Sequence, residues 1–146
     1  MKFFADTSFL ANLYLDQSLG ALARQIQTKH QLVASLTPLV QMEMHLAALR
    51  QAAGGTAGWK DFQTDVREGR LIIEPISWER LIDQAEALAV QHRREVQPGT
   101  LDALHVASAL HLGATHFISF DELSRQRAFA RAVGLKLLPQ RLPRGG

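Results

Sequence analysis

Thr100-Leu101-Asp102-Ala103-Leu104-His105-Val106-Ala107-Ser108-Ala109-Leu110-His111-Leu112-Gly113-Ala114-Thr115-His116-Phe117-Ile118-Ser119-Phe120-Asp121 is the stretch on which the fold is decided. Residues 101–112 read as the most apolar helix of the chain, opened by the break Pro98-Gly99 with Thr100 as N-cap and closed by Gly113. Residues 115–120 read as a strand, and an acid follows at once. Downstream the pattern continues, with a helix over 122–133 ended by Gly134 and a strand over 135–138 stopped by Pro139. Upstream, the short β-branched run 71–75 predicts a buried strand ahead of the amphipathic helix 78–93. Thr37 as N-cap and Pro38 in the first turn open a helix over 39–53, which the Gly54-Gly55 pair stops. A further helix covers 57–68, a strand 31–35, and helices 9–15 and 19–29 precede them. The apolar run 2–5 ends at Asp6, which with Thr7 is placed to cap the first helix. Five short strands alternating with helices predict a mainly parallel sheet covered on both faces, a three-layer α/β/α sandwich.

A chain of 146 residues, 47% hydrophobic and 21% charged, fits one globular domain. Residues 1–140 are expected to form it, and 141–146 a flexible basic tail. No apolar run is long enough for a membrane span, and no basic-then-apolar segment opens the chain, so a cytoplasmic protein without membrane contact is expected. The absence of cysteine excludes disulfides, thiolate metal sites and cysteine nucleophiles. The net charge is only +2, but Arg125, Arg127 and Arg131 share one helix and Arg141 and Arg144 follow. That distribution fits a solvated helix face and equally a polyanion partner.

Four acids stand where a strand ends or a helix begins: Asp6, Glu43, Asp102 and Asp121. In open parallel sheets, ligands bind beyond the carboxyl ends of the strands, and this placement predicts that all four meet there. Gathered carboxylates repel unless cations neutralise them, which points to a divalent metal. Taken singly, Asp6 and Asp121 could serve only as helix caps and Asp102 as a first-turn acid. Glu43 among Val40, Met42, Met44 and Leu46, and Asp102 between Leu101 and Ala103-Leu104, stand in apolar stretches where an acid needs a partner.

Ala5-Asp6-Thr7-Ser8, Leu39-Val40-Gln41-Met42-Glu43, Leu101 to Ala107 and Ile118-Ser119-Phe120-Asp121-Glu122-Leu123 resemble the four acidic motifs of PIN-domain ribonucleases, in order and spacing. Within that family the chain is most similar to the VapC-type toxins of toxin–antitoxin pairs, and the likeness extends to the closing run Ala132 to Pro139. Ser8 departs from the asparagine that many members carry there. The resemblance implies that Asp6, Glu43, Asp102 and Asp121 are catalytic ligands of Mg²⁺ or Mn²⁺. Thr7, Ser8 and Ser119 would then be supporting groups or phosphate-side donors. It implies an endoribonuclease that hydrolyses phosphodiester bonds with metal-activated water, leaving 3′-hydroxyl and 5′-phosphate ends. It also implies a small antitoxin laid across the acidic groove, and a homodimer. Leu10, Leu13, Tyr14 and Trp78 are possible dimer contacts or core residues.

Arg93, Arg94, Arg125, Arg127 and Arg131 are the candidates for holding RNA phosphates. His45 and His105 are expected to pack or face solvent, since hard cations prefer oxygen. Two other readings compete. A housekeeping PIN nuclease in RNA processing shares the chemistry but lacks an antitoxin. A receiver-like binding module needs an Asp at the end of the third strand, where this chain has Ile73-Glu74-Pro75.

Overall fold

Apolar runs bounded by glycine and proline become short strands, and the stretches between them become helices. The computed structural model describes residues 1–143. Its elements in chain order are β1 (Phe3–Ala5), α1 (Thr7–Tyr14), α2 (Gly20–Lys29), β2 (Ala34–Leu36), α3 (Pro38–Arg50), α4 (Gly55–Arg67), β3 (Leu71–Ile73), α5 (Trp78–Gln91), α6 (Thr100–His111), β4 (His116–Ile118), α7 (Gln126–Ala132) and β5 (Lys136–Leu138). The strands form one parallel sheet in the order β3-β2-β1-β4-β5, the α/β fold expected from the alternation. Ala34 lies opposite Leu71, and His116 opposite Lys136. No described helix is long and apolar enough to cross a membrane.

The structure moves several expected boundaries, each for a local reason. Helix α7 begins at Gln126 because the Asp121 side chain accepts from the N–H groups of Leu123 and Ser124 and holds them in a turn. Helix α3 ends at Arg50, since Gln51 adopts extended backbone. Gly54, at φ +80, is the N-cap of α4, so the glycine pair starts the second helix rather than stopping the first. Gly99, not Thr100, caps α6. Strand β3 is an edge strand with Ile72 exposed, rather than a fully buried one.

The chain divides into two compact units: Ala5–Pro75, and Met1–Phe4 with the chain from Ile76 onward. In the first, Phe9, Leu10, Leu15, Met44 and Phe62 are fully buried, which makes Leu10 a core residue. Each such side chain contributes about 1.5–3 kcal/mol of burial. Trp59 stacks on Phe62 at 5.0 Å, His45 stacks on Trp59 at 4.1 Å, and Tyr14 meets Phe62 edge-on at 5.8 Å. Helices α1 and α4 touch at Gly58, where a Cβ would lie 2.3 Å from the Tyr14 carbonyl oxygen. The buried Asn12 amide donates to the Ser8 carbonyl (2.8 Å) and accepts from Leu19 N–H (3.0 Å), tying α1 to the turn beyond it.

In the second unit, the rings of Phe4 and Phe117 stack at 5.6 Å, and Val106, Ile118 and Phe129 are fully buried with them. The start of the chain is fastened by bonds from the N–H groups of Thr115 (2.9 Å) and His116 (3.1 Å) to the Lys2 carbonyl. The basic tail expected at 141–146 is described as far as Pro143; residues 144–146, Arg144 among them, lie outside the described residues.

Candidate active site

Asp6 follows β1 directly and is the N-cap of α1, buried to 4% exposure. Its Oδ2 accepts from Ser8 N–H (3.3 Å) and from the Ser8 hydroxyl (2.7 Å). Ser8 thus supports the first acid with a hydroxyl. The residue between them does the same for the second acid: the Thr7 hydroxyl donates to Glu43 Oε1 at 2.8 Å. Glu43 lies in the second turn of α3, half-buried between the exposed Met42 and the fully buried Met44. The first turn of α1 therefore orients two carboxylates through three consecutive residues, at a helix N-terminus that favours negative charge. The structure brings Asp6, Thr7, Ser8 and Glu43 together within the unit Ala5–Pro75.

Asp102 and Asp121 belong to the other unit. Asp102 stands in the first turn of α6, half-buried, and a Cβ at Gly99 would come 3.6 Å from its Oδ2. Asp121 follows β4, and its position is set by the buried Ser119, whose hydroxyl accepts the Asp121 N–H (3.2 Å) and donates to Gln126 Oε1 (3.0 Å). Asp121 Oδ1 in turn accepts from Leu123 N–H (3.2 Å) and Ser124 N–H (3.1 Å). The cap role weighed for Asp6 is visible, whereas Asp121 organises a turn ahead of α7, whose N-cap is Arg125. Among the described residues no group of three or more His, Asp or Glu side chains gathers at metal-binding distance. The groups at the start of α1, two carboxylates with hydroxyl support, are of the hard-oxygen type that Mg²⁺ and Mn²⁺ require.

The arginines divide by what they touch. Arg127 is half-buried, and its guanidinium donates to the carbonyls of Ser119 (2.5 Å), Pro139 (2.5 Å) and Gln140 (3.3 Å). Burial, and then the charge of Arg131, pull its pKa below the usual arginine range. Arg127 is thereby a clamp between the end of β4 and the segment after β5, which the arginine spacing gave no sign of. Arg93, Arg94, Arg125 and Arg131 are exposed. Arg93 donates to the Val90 carbonyl (2.8 Å) and Arg125 to that of Gln97 (3.2 Å). Gln126, 2% exposed, was also missed; a glutamine in the first position of a helix carries no sequence signal for a partner seven residues earlier.

A second polar cluster lies in the unit Ala5–Pro75. The Tyr14 hydroxyl donates to Asp65, which also accepts from Arg70 Nε (2.8 Å) and NH2 (2.6 Å), and Arg70 pairs with Glu68 as well. Burial first, then the hydrogen bond to Asp65, push the Tyr14 phenol above its ordinary range.

The PIN domain family matches residues 3–131, and the chain belongs to that family. Among solved structures it is similar to the crystal structure of Mycobacterium tuberculosis VapC20, a toxin described as cleaving the sarcin-ricin loop. The TM-score is 0.65 and the identity 20%, with 97% of this chain and 100% of that chain covered. At that identity the likeness is one of fold. No curated protein matches the chain.

Proposed function

We propose that this protein is a divalent-metal-dependent endoribonuclease that serves as the toxin of a toxin–antitoxin pair. The observation that carries the reading is the pair of bonded carboxylates at the start of α1, Asp6 with Ser8 and Glu43 with Thr7, in a chain of the PIN family. Asp6, Glu43, Asp102 and Asp121 would hold the cation, Mg²⁺ or Mn²⁺. When bound, such an ion polarises the scissile phosphate and lowers the pKa of attacking water. The chain's own residues do the rest. Ser8 and Thr7 fix the carboxylates of Asp6 and Glu43, and Ser119, itself held by Gln126, fixes the backbone of Asp121. Residues fixed in this way reach the reacting geometry without reorganisation. Exposed Arg93, Arg94, Arg125 and Arg131 supply the charge that draws RNA. Residues 1–140 act as one nuclease domain with a basic tail at 141–146, in the cytoplasm, as a homodimer restrained by a small antitoxin.

Asp6→Asn and Asp102→Asn, each removing a negative ligand with little change of shape, are expected to abolish RNA cleavage and growth arrest while the fold survives. Cleavage retained in both variants sinks the reading. Millimolar Mg²⁺ is expected to raise the melting temperature of the wild type, because it binds only the folded state, and this gain is expected to vanish in either variant. An open reading frame for a small DNA-binding protein immediately upstream separates the toxin from a housekeeping nuclease.

A further inference from the structure

Strand β5 is an edge of the sheet, and along it runs a groove of about 410 Å³. Its polar lining is His116, Arg131, Lys136, Gln140 and Arg141, with no acidic residue. In a chain of 16 basic and 14 acidic side chains, such one-sidedness is a local excess rather than a reflection of composition. Arg131, Lys136 and Arg141 are exposed and form no ion pair among the described residues. The wall behind them is positive too. Arg127 and Arg131, one turn apart on α7, both direct an NH2 group to the Gln140 carbonyl, at 3.3 and 3.4 Å. The charge of Arg131 is one reason the Arg127 guanidinium is depressed, so cations here lie close enough to disfavour one another. Like charges collected without counter-charge cost stability unless a polyanion relieves them.

We propose that this groove is an exosite for the RNA backbone, in which Arg131, Lys136 and Arg141 hold phosphodiester groups that are not being cut. Neither Asp102 nor Asp121 lines it. The exosite rests on the nuclease reading only for the identity of the polyanion. Three exposed cations around a floor of Leu135, Leu137 and Leu138 match phosphate contacts rather than base readout, so the binding is expected to be sequence-tolerant and salt-dependent. Its effect on catalysis is to raise the affinity for long RNA and to leave a dinucleotide unaffected.

The test is binding of a fluorescein-labelled single-stranded RNA, with EDTA present so that nothing is cut, to the wild type and to the triple variant Arg131→Gln, Lys136→Gln, Arg141→Gln. Each phosphate contact on a single strand contributes roughly 0.7 to the slope of log affinity against log salt, so losing three lowers the slope by about 2. Between roughly 50 and 200 mM salt, the wild type should therefore lose about twentyfold more affinity than the variant. Lys136→Gln alone, at an exposed position, should lower the slope by roughly 0.7, which keeps the test decisive if the triple variant folds poorly. With Mg²⁺, KM for long RNA should rise and kcat stay level. An unchanged slope overturns the proposal, as does an equal loss in the control Arg24→Gln, Arg50→Gln, Arg67→Gln, which removes the same charge from exposed positions of the other unit. Polyglutamate binding to the groove more tightly than RNA overturns the choice of polyanion. A wild type that binds RNA through the groove yet cuts none with Mg²⁺ leaves the exosite standing and removes the nuclease reading.

Discussion

Gly58→Ala tests the packing that holds the first two acids in place. Gly58 is buried at the end of the first turn of α4, and on an open helix the added methyl would stabilise by up to about 1 kcal/mol. Here that methyl would stand 2.3 Å from the Tyr14 carbonyl oxygen and 2.7 Å from Leu15 Cδ2. The leucine end can rotate away, but the carbonyl belongs to the last turn of α1 and cannot. Ordinary contact therefore requires α1 and α4 to separate by about 1 Å, and overpacking of that kind costs about 1–3 kcal/mol. For a chain near 150 residues each kcal/mol is worth about 2–4 °C, so the melting temperature should fall by roughly 2–12 °C. Circular dichroism during heating measures it, with Ala57→Gly as comparator. Ala57 is exposed on the same helix, and its replacement should cost about 1 kcal/mol through helix propensity alone. A Gly58→Ala protein that melts at or above the wild type refutes the close approach of α1 and α4.

Thr7→Val removes the donor to Glu43 Oε1 at nearly constant shape, and by analogy with outer-shell ligands it should weaken metal-dependent cleavage by about 10–100-fold. A metal titration of cleavage rate reads the loss, and unchanged apparent metal affinity counts against Thr7 as a support. Tyr14 is the single tyrosine, so tyrosinate absorbance follows it alone. Because burial and Asp65 raise the folded phenol above its unfolded value, its contribution to stability is complete below the ordinary phenol range and is lost only as pH climbs through the higher folded value. Tyrosinate should therefore appear together with alkaline unfolding, and its appearance near pH 10 in the folded protein speaks against the buried bond. Arg127→Met should cost about 2 kcal/mol or more in chemical denaturation, since it leaves the Ser119 and Pro139 carbonyls without their donor. Arg127→Lys should recover only part of this, because an ammonium cannot reproduce the planar fork.

How far the sequence carries depends on how far apart the interacting groups lie along it. The strand–helix alternation was legible because each strand is an apolar run bounded by glycine, proline or an acid. Asp6 as a cap was legible because the residues that it serves are next to it. Ser119 was legible as a support, two residues from Asp121, whereas its own support Gln126 was not. The Asp121 turn was missed because Glu122-Leu123-Ser124 suits a helix start equally well, and only the side-chain bond to two N–H groups decides against it. Arg127 was grouped with phosphate-binding arginines because nothing in its spacing reveals the carbonyls of Pro139 and Gln140. Tyr14 stood open between core and dimer contact; its partner Asp65 lies 51 positions away, beyond any local pattern.

The bonds between Lys2 and Thr115 bear on how the protein is made. Residues 5–75 form a unit contiguous in sequence, whereas Met1–Phe4 belongs with the chain from Ile76 onward. Lys2, just ahead of β1, bonds to Thr115, just ahead of β4 and 113 positions later. A loop of that length closes late, because contacts distant in sequence form slowly. A nascent chain stopped short of β4 therefore carries Asp6 and Glu43 on an unfinished frame.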